Sequence, residues 1–399
     1  MPLKVGRGAN APPFIVMDVI AAANARAAAL VPGEPRVIRM EVGQPSTGAP
    51  AGAVAAAIAA MQEGQTLGYT EAFGIRPLRE RIARLYAERY GLALDPARVA
   101  VTMGASGAFP LAFLAAFDPG DRVALASPFY PPYVNILTAL GLEPVIIEAG
   151  PESRFQPTVA MLERLDPRPD GLIVASPCNP AGTMLHRDEL AVLAAWCDAN
   201  GVRLISDEIY HGLTYAEPGT TAASVSASAI VINSFSKYWS MTGWRIGWMV
   251  LPEDLTRPVE RLAQNLFISA PGVAQVAALA AMECGEELER HVRRYGANRA
   301  LLLEALPKAG LAKLAPAEGA FYLYADVGHL TNDSAAFCAS MLAEIGVAAT
   351  PGVDFDRTRG SRTVRFSFCG ATEDIAEAVE RLGLWFNKQR QARALVRPT

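Results

Sequence analysis

The stretch NSFSKYWSMTGWRIGW, residues 233–248, is the part of the chain around which the rest of the fold can be arranged. It follows the apolar run AIVI, residues 229–232, whose β-branched side chains favour a buried strand over a helix. Lys237 therefore lies just past a predicted strand end. Two hydroxyls and a guanidinium lie close to it along the chain, on Ser234, Ser236 and Arg245. All four polar groups can converge at that strand end.

These groups point to a phosphorylated aldehyde as the ligand. Hydroxyl and guanidinium groups bind phosphate, and an amine fixed beside them can form an imine with an aldehyde. Pyridoxal phosphate carries both functions on one ring. The alternative is an exposed lysine in a loop near a structural arginine, and this stretch by itself leaves that alternative open.

The composition indicates a globular protein whose partners are small molecules or further copies of the chain. A chain of 399 residues is long for a single core and favours two domains. Hydrophobic residues make up 51% of it, which is enough for a large buried interior. The net charge of −4, from 36 basic and 40 acidic residues, provides no basic surface for nucleic acid.

Cysteines and apolar runs argue against disulfides, metal sites, export and membrane insertion. The five cysteines contain no CxxC pair and do not cluster with the four histidines, so we expect no metal. Polar residues interrupt residues 16–30, which predicts an amphipathic helix and no export signal. The longest clean apolar run, residues 51–61, is too short to span a bilayer. We therefore expect a cytoplasmic location and no membrane partner.

From residue 99 onward, short apolar runs alternate with helical stretches. The predicted strands are residues 99–103, 123–126, 144–147, 172–175, 202–205, 229–232 and 246–251. This alternation predicts an α/β fold with a mainly parallel seven-stranded sheet between helices. Ligands bind such sheets at the carboxyl ends of the strands. Most of these strand ends carry polar or glycine-rich residues, so we expect the functional site along that edge.

The C-terminal region is predicted to form a smaller α/β domain. The chain is predicted to be helical from past residue 271 to about residue 306. Beyond that region, its pattern gives strands at residues 320–327 and 363–368 and helices at residues 334–346 and 372–388. Prolines surround a single helix in residues 1–35, which is typical of an arm that crosses a surface. The predicted division is an N-terminal arm and part of the small domain in residues 1–45, a large domain in 46–285 and a small domain in 286–399.

Three segments of the chain resemble the class I/II aminotransferase family of fold-type I pyridoxal phosphate enzymes, within the aspartate aminotransferase superfamily. They are SFSKYWSMTGWRIG at residues 234–247, SPCNPAGT at 176–183 and ISDEIY at 205–210, and they occur in the family's order. The resemblance covers nearly the whole chain. It implies pyridoxal 5'-phosphate as cofactor and ping-pong transfer of an amino group between an L-amino acid and a 2-oxo acid.

The resemblance assigns catalytic roles to Lys237, Asp207 and Tyr210. Lys237 would bind the cofactor as a Schiff base and move the substrate Cα proton, which requires a pKa below the usual value of about 10.4. Asp207 would pair with the pyridinium nitrogen. Tyr210 and Asn179 would donate hydrogen bonds to the phenolic oxygen. Structural alternatives stay open, because Asp207 could cap a helix and residues 179–182 could form an ordinary turn.

Other residues matching the family would bind the rest of the cofactor and the substrate. Tyr130 would stack on the ring, and the phosphate would be bound by Ala105, Ser106, Ser234, Ser236 and Arg245. A family tyrosine matching Tyr69 reaches the phosphate from the neighbouring subunit, which implies a homodimer. Arg365 would bind the substrate carboxylate in a bidentate pair, beside Asn179 and the backbone of Gly43. From the residues alone, Arg365 is expected to be an exposed strand residue.

The substrate side chain is predicted to be neutral or aromatic. Relatives specialised for dicarboxylates commonly place an extra arginine just before the segment that matches residues 267–272, and residues 264–272 contain none. Arg36, Arg39 or a loop residue could still supply that charge.

Other functions stay open at this point. The same fold supports β-elimination by C–S lyases, or decarboxylation, since the cofactor serves all of these reactions. A non-catalytic aminotransferase-like binding protein would need an added DNA-binding domain, and the residues before the first predicted strand show no basic helix-turn-helix pattern. A hydrolase is disfavoured because GASGA, residues 104–108, departs from G-x-S-x-G at its fifth position.

Overall fold

A mixed seven-stranded sheet lies at the centre of the larger part of the protein. The computed structural model describes residues 3–396. The strands are β1 (Ile38–Arg39), β2 (Val99–Thr102), β3 (Arg122–Ser127), β4 (Glu143–Glu148), β5 (Gly171–Ala175), β6 (Arg203–Asp207), β7 (Ile230–Ser234), β8 (Gly247–Val250), β9 (Tyr322–Asp326), β10 (Val347–Ala348), β11 (Thr350–Pro351) and β12 (Thr363–Ser367). The α-helices are α1 (Ile15–Ala28), α2 (Ala51–Gln62), α3 (Arg76–Tyr90), α4 (Gly104–Ala116), α5 (Pro132–Ala139), α6 (Val159–Leu162), α7 (Arg187–Asn200), α8 (Glu253–Leu266), α9 (Gly272–Ala281), α10 (Gly285–Lys308), α11 (Ser334–Ile345) and α12 (Thr372–Val396).

The central strands have the order β2-β8-β7-β6-β5-β3-β4. Strand β8 is antiparallel to β2 and β7, and the other neighbouring pairs are parallel. Residues 235–246, between β7 and β8, contain no crossover α-helix, so the chain returns in the opposite direction. We call this segment the lysine loop because it carries Lys237. The predicted α/β fold with a mainly parallel seven-stranded sheet is confirmed.

Alternate residues of the central strands pack on opposite faces of the sheet. In β7, Ile230 and Ile232 pack in the core that includes α4 and α8, whereas Val231 packs in the core that includes α7 and α9. Burial on both faces explains why these strands are continuous apolar runs in the sequence. Polar residues are confined to the strand ends, where the loops after β2, β3, β5, β6 and β7 line one cavity.

A smaller unit contains the antiparallel sheet β11-β12-β9. Strand β1 pairs in parallel with β10, which joins the N-terminal segment to this unit. The domain boundaries after residues 45 and 285 stay predictions. Residues 1–2 and 397–399 of the predicted domains lie outside the described residues.

The helices differ from the sequence-based prediction in two places. The helical region predicted up to residue 306 is divided between α9 and α10, and the second of these begins at a glycine, which disfavours a helix interior. Helix α12 continues past residue 388 to Val396 because residues 389–396 include strong helix formers. None of the helices between residues 3 and 396 has the length and the apolar composition that a membrane crossing requires.

Candidate active site

Lys237 lines a cavity of about 730 Å³ between the large sheet and strands β9 and β12. Its Nζ donates a hydrogen bond to the carbonyl oxygen of Gly43 at 2.6 Å. Burial lowers the pKa of this amine to about 8, and the positive charges of Arg365 and Arg245 act in the same direction. A lysine with such a pKa is unprotonated in a useful fraction of molecules near neutral pH. It can therefore serve as a nucleophile or a base.

Asp207, the last residue of β6, is buried at the same cavity. One carboxylate oxygen accepts a hydrogen bond from the hydroxyl of Tyr133, and the other accepts one from the amide of Ile209 at 3.1 Å. Burial nevertheless raises the pKa of Asp207 to about 6. A buried carboxylate of this kind is stabilised by a cationic ligand group. The helix-cap alternative is wrong, because residues 209–212 form turns and not a helix.

Tyr210 and Asn179 reach the cavity from the loops after β6 and β5. The Tyr210 hydroxyl lies 2.7 Å from the hydroxyl of Tyr322, a β9 residue. Asn179 Oδ1 accepts a hydrogen bond from Arg365 Nη1 at 2.8 Å. Gly43 packs so closely here that a Cβ atom would lie 1.9 Å from the Tyr322 hydroxyl. Only glycine therefore fits at the position that accepts the lysine hydrogen bond.

Arg365 is a buried cation with one unpaired N–H. It is 2% exposed, and its Nη2 donates to the carbonyl oxygen of Glu41 at 2.5 Å and to Thr350 Oγ1 at 3.1 Å. Its Nε has no hydrogen-bond partner among the described residues. The expectation of an exposed residue is wrong because the guanidinium packs against the rings of Tyr322, at 4.4 Å, and Phe355, at 4.6 Å. A buried guanidinium with a free donor suits a carboxylate ligand.

The predicted phosphate-binding residues gather where α4 begins. Arg245 Nη2 lies 3.3 Å from Ser106 Oγ, and Ser234 Oγ donates to Ser236 Oγ at 2.9 Å. Gly104, with φ of +69°, leaves room for the arginine, since a Cβ there would lie 2.6 Å from Nη2. A helix N-terminus beside a guanidinium and three hydroxyls is a favourable site for phosphate. Ala105 and Ser106 lie in the first turn of that helix.

Part of the cavity lining is apolar. Its lining includes Phe14, Val16, Met17 and Ile20 from the N-terminal segment. The cationic residues that line the cavity are Lys237, Arg245 and Arg365. Arg36 and Arg39 could have supplied a further positive charge, but both form ion pairs away from the cavity. Arg36 pairs with Asp374 and Glu377, and Arg39 pairs with Glu41. Neither Arg36 nor Arg39 is among the residues that line the cavity in the described chain.

The sequence model of aminotransferase class I and II matches residues 35–382. The chain belongs to this family. Valine–pyruvate aminotransferase of Mycobacterium tuberculosis is 50% identical over 390 residues, which cover 97% of this chain and 99% of that protein. Aspartate aminotransferase of Thermotoga maritima is 33% identical over 370 residues, which cover 92% of this chain and 96% of that protein. The resemblance inferred from the three motifs is confirmed.

Solved aminotransferase structures share the fold along almost the whole chain. An aminotransferase from Mycobacterium tuberculosis superposes with a TM-score of 0.94 at 49% identity, covering 97% of this chain and 100% of that one. A putative aminotransferase from Silicibacter pomeroyi superposes with a TM-score of 0.90 at 52% identity and the same coverage. This chain is thus an aminotransferase, and the hydrolase, lyase and binding-protein alternatives are not favoured.

Aminotransferases of this family generally depend on pyridoxal phosphate, and the residues of this cavity fit that cofactor. Asp207 offers a carboxylate for the ring nitrogen, the α4 N-terminus offers donors for the phosphate, and Lys237 offers an amine for the aldehyde. Tyr130 also lines the cavity, where its ring meets those of Phe14 and Tyr133 edge-on. Tyr69 is 83% exposed and lies outside this cavity, so its contact across a subunit interface stays a prediction.

Sequence reasoning missed several residues of the aminotransferase site. Tyr322 and Tyr133 are buried aromatic residues, which a sequence pattern does not distinguish from core residues. The alternation of residues 320–327 predicts that Tyr322 and Tyr324 share one face of a strand, but not which residues they meet. The apolar wall from α1 was missed because its pattern is that of an ordinary amphipathic helix.

Substitution Arg365→Lys is expected to raise the KM for the amino acid by about 10- to 100-fold, because lysine cannot form a bidentate pair with a carboxylate. The change in kcat is expected to be smaller, since the carboxylate is held both before and during the reaction. Steady-state kinetics check this, with the exposed Arg362→Lys as matched control. An unchanged KM would contradict the assignment of Arg365 to the substrate.

Proposed function

We propose that this protein is a pyridoxal phosphate-dependent aminotransferase that moves an amino group between an L-amino acid with a neutral, apolar side chain and a 2-oxo acid. The carrying observation is that Lys237 and Arg365, a buried guanidinium with an unpaired Nε, line one cavity together with apolar residues of the N-terminal segment. An amino acid whose carboxylate is held by Arg365 can direct its side chain toward residues of α1. Its amine and Cα then face the lysine side of the cavity.

In this proposal the cofactor is held at both ends by groups of this chain. Arg245, Ser234, Ser236 and the first turn of α4 bind its phosphate, and Asp207 binds its ring nitrogen. Asn179 and Tyr210 donate to its phenolic oxygen, and Tyr130 packs on its ring. When bound, the cofactor supplies an aldehyde for covalent attachment and a ring that withdraws electrons from the substrate Cα.

The protein groups then orient the substrate and move its proton. Arg365 fixes the carboxylate, so that the Cα–H bond is presented to Lys237. Lys237 Nζ is the base placed to take that proton and later to return it. Asp207 keeps the facing ring nitrogen protonated because an ionised carboxylate favours a cationic partner. Tyr322 keeps the Tyr210 hydroxyl oriented through their 2.7 Å contact.

The apolar wall and the related proteins together favour an aliphatic substrate. Phe14, Val16, Met17 and Ile20 provide no partner for a second carboxylate, which would be buried at a large cost. The relative at 50% identity is named a valine–pyruvate aminotransferase. We therefore propose valine or a similar amino acid as donor and a small 2-oxo acid such as pyruvate as acceptor.

A half-reaction screen tests this function. The cofactor-loaded protein is mixed with single L-amino acids, and the loss of its visible absorption band is followed. We expect valine and other apolar amino acids to consume the band at least about 100-fold faster than aspartate. Aspartate reacting as fast as valine would overturn the substrate proposal. Release of pyruvate and thiol from a cysteine conjugate without any 2-oxo acid would favour the lyase instead.

Attachment of the cofactor is expected to depend on pH through Lys237. Only the unprotonated amine attacks an aldehyde, and the pKa of Lys237 is lowered to about 8. The attachment rate should therefore rise with pH, level off above about pH 8, and at pH 6 be about 100-fold below its plateau. Stopped-flow absorbance of apo-protein mixed with pyridoxal phosphate checks this. The control is N-acetyl-lysine methylamide, whose attachment rate should have its midpoint near pH 10.4. A midpoint at the same pH for the protein would contradict the lowered pKa of Lys237.

We also propose that the protein is a homodimer. Helix α2 presents an exposed apolar stripe at i, i+4 and i+7, formed by Val54, Ile58 and Met61. The stripe lies next to the segment of Tyr69, because α2 packs along α9 and the backbone near residue 68 contacts the start of α9. Such a stripe is typical of a protein interface. A second copy would cover it and bring its Tyr69 toward the phosphate site.

Substitution Ile58→Glu is expected to produce a monomer whose affinity for pyridoxal phosphate is about tenfold weaker, since a charge in an apolar interface is costly and the partner's donor is lost. Analytical ultracentrifugation and a cofactor titration check this. Val192→Glu, at an exposed apolar position of α7, is the matched control. A wild-type protein that is monomeric in its loaded form would overturn the dimer.

A further inference from the structure

His211 is buried beside the active site but does not line its cavity. Its Nε2 lies 3.0 Å from the carbonyl oxygen of Ser176, in the loop after β5. Its Nδ1 lies 2.7 Å from the hydroxyl of Tyr90, at the end of α3. A carbonyl oxygen can only accept a hydrogen bond, so Nε2 carries the proton and Nδ1 accepts from Tyr90. The contacts thereby select one tautomer of the ring.

The surroundings keep this histidine neutral. Burial lowers the pKa of His211 to about 3, and the positive charge of Arg89 acts in the same direction. Burial also raises the pKa of the neighbouring Glu208 to about 8. Glu208 Oε1 accepts hydrogen bonds from the Ser206 hydroxyl at 3.1 Å and the Ala222 amide at 2.7 Å. Glu208 Oε2 also lies 3.5 Å from His211 Nδ1, so these two side chains meet inside a scaffold that burial favours in its neutral form.

The scaffold joins the two loops that carry cofactor-binding residues. The amide of Ser176 donates to the carbonyl oxygen of Asp207 at 3.2 Å, and the carbonyl of Ser176 accepts from His211. Both backbone groups of Ser176 are thus bound by the end of β6 and the segment that follows it. Asn179 lies three residues beyond Ser176, and Tyr210 immediately precedes His211. Movement of either loop would change the separation of the two groups assigned to the phenolic oxygen.

We propose that His211 is a positioning residue that holds the loop of Asn179 in register with the segment of Asp207 and Tyr210, through the Nε2–H bond to Ser176. Tyr90 fixes the tautomer that makes this bond possible. The proposal rests on the proposed function, because it concerns residues assigned to the cofactor.

The test compares His211→Leu, which removes the donor, with His211→Gln, whose amide N–H can reach the same carbonyl. Pyridoxal phosphate dissociation constants are measured by titration of the apo-proteins, and the pKa of the visible band is measured in the loaded forms. We expect His211→Leu to raise the dissociation constant at least about tenfold. The pKa of the band should also rise, because Asn179 and Tyr210 donate less well to the phenolic oxygen. The dissociation constant of His211→Gln should stay within about threefold of the wild-type value.

Tyr90→Phe provides a second variant that retains the packing and removes only the hydroxyl that fixes the tautomer. It is expected to raise the dissociation constant and the pKa of the visible band by less than His211→Leu does. His291→Leu, on α10, is the matched control, and urea unfolding of each apo-protein measures general destabilisation. The positioning role would be overturned if both His211→Leu and Tyr90→Phe left the dissociation constant and the pKa of the visible band unchanged. It would also be overturned if His211→Leu and His211→Gln weakened cofactor binding equally. Failure of the proposed function is distinct, because the wild type itself would then show no visible band with pyridoxal phosphate.

Discussion

Substitution Lys237→Ala is expected to lower kcat by at least about 10⁴-fold, because one side chain supplies both the attachment of the cofactor and the base for the Cα proton. The described cavity contains no second amine that could take over, since its other cations are the guanidinium groups of Arg245 and Arg365. Binding of the cofactor is expected to persist in weaker, non-covalent form. The phosphate and ring contacts do not involve the lysine.

The measurement is the single-turnover conversion of valine by the loaded variant. Lys313→Ala, which removes an exposed lysine, controls for the loss of an amine elsewhere. A dialysed Lys237→Ala protein that keeps the wild-type visible band, or retains a kcat within tenfold of the wild type, would contradict the assignment.

Substitution Asp207→Asn is expected to lower kcat by about 10³-fold, because a neutral amide does not keep the facing ring nitrogen protonated. The isosteric amide occupies the same space, and its oxygen can still accept the hydrogen bond from Tyr133, whereas its NH2 group cannot accept the bond from the Ile209 amide. The loss should therefore lie in kcat, and the KM for the amino acid should change little.

The folding stability of the apo-protein is expected to depend on pH through Asp207. The pKa of Asp207 is raised from 3.8 to about 6 in the folded protein, so the folded state binds more protons between these values and its stability falls as pH rises through them. At pH 7 the ionised carboxylate costs folding free energy, which Asp207→Asn removes. Urea unfolding of the apo-proteins should give a free energy of unfolding that falls between about pH 4 and about pH 6 in the wild type, and the variant should lack this fall. Asp198→Asn is the control, and full activity of Asp207→Asn would contradict the role of the charge.

The central sheet could be predicted from the sequence because its strands are buried on both faces. Each of the seven strands has an apolar run of the expected length, and the polar residues stand where the strands end. The edge rule for parallel sheets then placed Asn179, Asp207 and Lys237 together. These residues come from consecutive loops whose proximity follows from strand order alone.

The substrate-facing part of the site, which includes Arg365, Tyr322 and α1, depends on contacts between distant parts of the chain. The pairing of Tyr210 with Tyr322 and of Arg365 with Glu41 joins residues that are more than 100 positions apart in the chain, and no local pattern encodes such contacts. Without the family resemblance, Arg365 in an alternating strand is expected to face solvent. Its burial arises because the rings of Tyr322 and Phe355 pack against the guanidinium, which also bonds to Asn179 and to the Glu41 carbonyl. The position of α1 against the cavity follows from packing in the same way.

The central claim is that Lys237 carries the cofactor. Borohydride reduction of the loaded protein converts an imine into a stable secondary amine, and peptide mass mapping then locates the phosphopyridoxyl group. The exposed lysines Lys4, Lys308, Lys313 and Lys388 provide comparisons within the same molecule. We expect the group on the peptide that contains Lys237. Its presence on another lysine, or on none in a fully loaded protein, would contradict the account.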